Sequence, residues 1–112
     1  MEKVTRKAAL AMITEALKEM KRLGYAPTKV VLFGSFAKGL QKLHSDIDLA
    51  IWDARFTGSL SQDMIELTPV KLKFPRIEFH TYHSSETAES DPFIGEIMEH
   101  GIVLQLTQGI PA

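Results

Sequence analysis

The chain has 112 residues, 45% of them hydrophobic and 24% charged, the size and composition expected of one domain spanning 1–112 with little room for a second core. A formal net charge of -1 and a pI near 6.4 leave no excess of Lys and Arg for tracking a long nucleic acid, so a small ligand or a protein is the expected partner. Without cysteine, disulfides, thiolate nucleophiles and Cys-based zinc sites are excluded, and any metal must be held by oxygen or imidazole.

The N-terminal segment lacks an uninterrupted apolar stretch, and nowhere do about 18 apolar residues run together. The expectation is a cytoplasmic protein, neither secreted nor membrane-spanning. From Thr5 to Leu23, the residues Leu10, Ile13, Leu17 and Met20 recur at intervals of three and four, the stripe of an amphipathic helix that Gly24 stops. Lys29–Phe33 is short, β-branched and apolar, which suits a strand buried on both faces and closed by Gly34. Ser35–Lys38 begins a short helix, and Gly39–Ser45, without any period, loops back toward the sheet.

Asp46–Trp52 alternates as a strand does, with Ile47, Leu49 and Ile51 on one side and Asp46, Asp48 and Ala50 on the other. A helix is expected from Ser61 to about Leu72, around Met64, Ile65 and Leu67, with Pro69 standing against its second half. Arg76–Tyr82 alternates again and sets Glu78, His80 and Tyr82 opposite Ile77, Phe79 and Thr81. His83–Ser90 reads as an exposed loop. Asp91-Pro92 supplies an N-cap and a first-turn proline for a helix to His100, which Gly101 ends. Ile102–Leu106 forms a last edge strand before the tail Gln108–Ala112.

Two carboxylates on one strand face, Asp46 and Asp48, lie within about 7 Å of each other, an unfavourable arrangement without a cation. Hard divalent ions such as Mg²⁺ take oxygen ligands and keep positions open for substrate phosphates, whereas the ordinary alternative is a solvated pair. A glycine directly after a buried strand lets backbone approach a ligand, and at Gly34-Ser35 the following N–H groups and the Ser hydroxyl can bind phosphate oxygens. Its ordinary alternative is a strand-ending turn. A P-loop is excluded because Leu40 and Gln41 follow Gly39, and an EF-hand because Ala50, Ile51 and Trp52 follow Asp48.

Gly34-Ser35, ten residues, then Asp46-x-Asp48, with Lys38-Gly39 inside the gap, resembles the G-S-x(10)-D-x-D signature of the DNA polymerase beta-like nucleotidyltransferase superfamily, in particular its minimal nucleotidyltransferase (MNT) domains. The resemblance implies an α/β fold, a small mixed β-sheet with helices packed on one side. It implies a transferase that moves a nucleoside monophosphate, AMP from ATP, to a hydroxyl of a protein or RNA. On this basis Gly34 and Ser35 bind the triphosphate, and Asp46 and Asp48 ligate Mg²⁺ as a pair of ions. Glu78 falls where the family has its third acidic residue, usually Asp, and completes the catalytic and metal set with a side chain one methylene longer.

Glu78 has an ordinary alternative as a solvent-facing residue paired with Arg76 or Lys73. Lys38 is read either as a phosphate contact or as a solvated helix residue. His80 shares the face of Glu78, where a hydrogen-bonding support is the commoner role. The resemblance to MNT antitoxins names a HEPN-domain protein as the expected partner. The competing reading is a partner-binding or nucleotide-binding module that masks or scaffolds such a protein without turnover. Contacts that larger relatives take from an extra domain would come from a partner, a homo-oligomer, or not at all.

Overall fold

The structure is a computed structural model and describes residues 3–106; the tail Gln108–Ala112 lies outside the described residues. Helix α1 (Arg6–Arg22) starts where Thr5 Oγ1 accepts from the Ala8 N–H at 3.0 Å, and Lys21 and Arg22 sit in its last turn beside the unpaired carbonyls. Its buried line is Ala9, Ile13, Ala16 and Met20, with Leu10 and Leu17 packed at the margin. Gly24 then turns the chain at φ 95, in the left-handed region that favours glycine.

Four strands follow as β1 (Lys29–Phe33), β2 (Ile47–Asp53), β3 (Ile77–His83) and β4 (Ile102–Leu106), arranged β3-β2-β1-β4. Central β1 runs antiparallel to both β2 and β4, while β2 and β3 are parallel. The register sets Phe33 opposite Asp48 and Asp48 opposite Glu78. Strands β2 and β3 each begin one residue later than the alternation suggests. The Ile47 N–H bonds to the Arg76 carbonyl at 2.8 Å, so the ladder opens there and Asp46 stays in the preceding loop.

A parallel pair needs a crossover, and α3 (Leu60–Lys73) provides it between β2 and β3. The helix runs through Pro69 and covers the expected span to Leu72, so the second half that the proline put in doubt is helical. Pro69 lies on the exposed face, where water can meet the Ile65 carbonyl that loses its donor, and Ile65 itself is 73% exposed. Helix α2 (Ser35–Lys38) is one turn, and α4 (Pro92–His100) starts at Asp91, whose side chain accepts from the Phe93 N–H at 3.0 Å.

Two apolar clusters hold these layers. In one, α1, Phe36 of α2 and Leu67 and Val70 of α3 pack against Val30, Leu32, Leu49, Ile51, Ile77 and Phe79. The other contains Val31, Phe33, Ala50, Trp52 and Tyr82, covered by Ile94 and Ile97 of α4. The α/β class and the mixed sheet are as expected from the sequence, with α1 and α3 on one face. Helix α4 adds cover on the opposite face, whose apolar residues each stabilise by roughly 1.5–3 kcal/mol when buried. That second face also carries Asp48 and Glu78. Among the described residues, no helix is long and apolar enough to cross a membrane.

Candidate active site

At the end of β1, Gly34 takes φ 71 and ψ -151, a backbone conformation essentially confined to glycine. A Cβ at this position would collide with Oδ2 of Asp48. The strand end and the carboxylate therefore come as close as they do only because residue 34 has no side chain. Half-buried Ser35 opens α2, which is anchored by fully buried Phe36. From α1, Arg6 donates to the Phe36 and Ala37 carbonyls at 3.0 and 2.9 Å, partnering a helix too short to satisfy its own C-terminal groups.

The loop leading to β2 is fastened by Arg76, which donates to the carbonyls of Ser45 at 2.9 Å and Leu43 at 3.4 Å. Lys73 pairs instead with Glu19, at 3.1 Å. Glu78 is solvent-facing, as its ordinary alternative has it, but neither cation pairs with it. Glu78 faces Asp48 across the parallel pair, and its carboxyl is pushed above its ordinary 4.5. The leading cause is hydrogen bonding with Asp48, followed by burial and the Asp48 charge; His80 pulls the other way, and Asp46 adds a smaller push upward.

Asp48, Glu78 and His80 each offer one ligand atom, all within 4.8 Å of one another. The His80 ring is a quarter exposed, yet its Nε2 is buried without a hydrogen-bond partner. The nearest carboxylate oxygen, Asp48 Oδ1, is 3.8 Å away, too far for a hydrogen bond. Phe33 meets the ring edge-on at 4.8 Å between centroids, and Phe93 lies at 6.1 Å. Exposed Asp46 is outside this cluster and acts on it through charge. Lys38 is also exposed and lines a pocket of about 250 Å³ with Gly34, Phe93, Glu96 and His100.

The fold thus brings Gly34, Asp48 and Glu78 together and leaves Asp46 and Lys38 at the periphery. His80, read from sequence as a support, stands inside the cluster; the signal for it was its position two residues from Glu78 on the same strand face. A divalent cation fits this donor set. It would relieve the repulsion of two facing carboxylates and give the orphaned imidazole nitrogen a partner.

Facing carboxylates beside a Gly-Ser strand end, on a mixed sheet covered by helices, are the equipment of an enzyme that handles nucleotide phosphates. The nucleotidyltransferase domain family matches residues 13–104, from α1 into β4, and the chain belongs to that family. Nucleotidyl transfer is accordingly its class of activity, one that generally uses a nucleoside triphosphate and a divalent metal. A search of curated proteins returns no match to the chain.

Proposed function

We propose that the protein transfers AMP from ATP to a hydroxyl of a protein or RNA, dependent on Mg²⁺ held as a pair of ions. The observation that supports this is the opposition of Asp48 and Glu78 across β2 and β3, directly beside Gly34. In the reaction the acceptor oxygen bonds to the α-phosphorus, the bond from that phosphorus to the β-phosphate bridging oxygen breaks, and pyrophosphate leaves. Bound cations would neutralise triphosphate charge and ease formation of the attacking oxyanion.

Gly34 and Ser35 hold the triphosphate, and Lys38 contacts it from the rim of the adjoining pocket. Asp46 and Asp48 serve as metal ligands together with Glu78, which would help a bound cation activate the attacking hydroxyl. The proposed acceptor is a HEPN-domain protein, supported by the likeness of the Gly34-to-Asp48 motif to MNT antitoxins. A second reading, nucleotide or partner binding without turnover, is favoured by one observation, the position of Asp46 outside the tight cluster.

The test incubates the protein with α-labelled ATP, Mg²⁺ and the product of the neighbouring reading frame, using wild type, Asp46→Ala and Asp48→Ala. Label moved to the neighbour by the wild type and lost in both variants supports transfer. If no nucleotide gives transfer while both variants still bind and restrain the neighbour, the enzymatic reading is wrong.

A further inference from the structure

We propose that His80 is a direct ligand of the divalent cation and tilts the site toward a first-row transition ion such as Mn²⁺ over Mg²⁺. The inference rests on the metal-binding reading above and deepens it. A supporting histidine fixes a neighbour through a hydrogen bond, and Nε2 of His80 makes none. Its 3.8 Å separation from Asp48 Oδ1 is too long for such a bond but fits two donors on one ion, which stand up to about 4.2 Å apart at metal–ligand lengths near 2.1 Å.

The strand geometry aims the ring there. His80 lies two residues beyond Glu78 and so on the same face of β3, opposite Ala50 of β2. The small Ala50 side chain leaves the imidazole room to lean toward Asp48, the residue two positions earlier on that strand. Phe33 packs edge-on against the ring and Phe93 flanks it, so its orientation is set before any ion binds. Mg²⁺ prefers oxygen and gives up water reluctantly, whereas an imidazole nitrogen favours first-row transition ions. One imidazole added to two carboxylates therefore changes which cation the site holds best.

The test uses the whole chain as wild type, His80→Ala, His80→Gln and Asp48→Ala, with folding checked by thermal melts. Mn²⁺ binding is followed by loss of the free-ion EPR signal, Mg²⁺ by competition, and nitrogen coordination by pulsed EPR of the Mn²⁺-loaded protein. The expected result is a ¹⁴N coupling in the wild type that both His80 variants lose. Mn²⁺ affinity should fall at least about tenfold in those variants, with Mg²⁺ affinity changed by less than about twofold.

The inference is overturned if the coupling persists in His80→Ala, if the wild type binds Mn²⁺ without it, or if both ions weaken by the same factor. Should Asp48→Ala abolish Mn²⁺ binding while the His80 variants retain it, the ligand role of His80 fails and the metal site stands. Should Asp48→Ala leave Mn²⁺ binding intact, both fail.

Discussion

Replacing Gly34 by alanine strikes the point where strand, turn and carboxylate meet. The native φ of 71 and ψ of -151 impose strain of about 1–3 kcal/mol on any residue with a Cβ. The new Cβ also collides with Asp48 Oδ2 and sits 3.1 Å from its Cγ and 3.3 Å from its Cβ. Asp48 must then leave its rotamer, which adds about 1 kcal/mol and carries the carboxylate away from Glu78 and His80. The expected loss is about 2–4 kcal/mol in urea unfolding, or roughly 4 °C of Tm per kcal/mol. In an Asp48→Ala background the collision disappears and the backbone strain remains, so the cost of Gly34→Ala should shrink by about 1 kcal/mol. A loss below about 0.5 kcal/mol, or the same loss in both backgrounds, refutes the close approach as the reason for glycine.

Glu78→Gln tests the facing carboxylates by pH. With its folded pKa above 4.5, Glu78 contributes stability that is fully present below that pH and is lost as pH rises through the folded value. In chelator, the wild-type Tm should therefore decline relative to Glu78→Gln above pH 4.5, and saturating Mg²⁺ should recover it; a difference that stays flat with pH counts against the reasoning. Asp63 is buried and accepts from the Thr57 N–H at 2.8 Å, the Thr57 hydroxyl at 2.9 Å, the Gly58 N–H at 3.2 Å and the Thr81 hydroxyl at 2.7 Å. Asp63→Ala strands those donors and should cost about 3 kcal/mol or more in urea unfolding, with a loss under about 1 kcal/mol contradicting the network's weight. Pro69→Ala restores a donor inside α3 and should stabilise by about 1–2 kcal/mol, the helical gain less the unfolded-state entropy that proline removes; a destabilised variant would mean the ring packs usefully where it is.

Features set by neighbouring residues were legible in the chain. Thr5, Gly24 and Asp91-Pro92 mark helix ends through bonds made within a few positions, and β1 matches its apolar run, Lys29–Phe33. The doubt at Pro69 could not be settled from the letters, because its tolerance depends on which face of α3 meets water, a tertiary fact. The apolar character of Val31, Phe33, Ala50 and Trp52 is visible in the letters. That α4 covers them depends on the path of the chain after β3, which no local pattern encodes.

The site divides along the same line. Spacing within one strand can place residues on a face, but the opposition of Asp48 and Glu78 arises only when β2 and β3 pair in parallel at one register. The Asp46-x-Asp48 motif shows the limit most clearly, since two carboxylates share a strand face only if both belong to the strand. Here the Arg76 carbonyl takes the Ile47 N–H and opens the ladder after Asp46, while the Arg76 guanidinium holds the loop before it. The motif is thereby split into a carboxylate anchored on β2 against Gly34 and one carried by a loop. In the proposed reaction the two would differ in kind. Asp48 sits on β2 beside Gly34 and opposite Glu78, whereas Asp46 is exposed just before the strand. Sequence spacing treats them as equivalent, and the start of β2 makes them unequal.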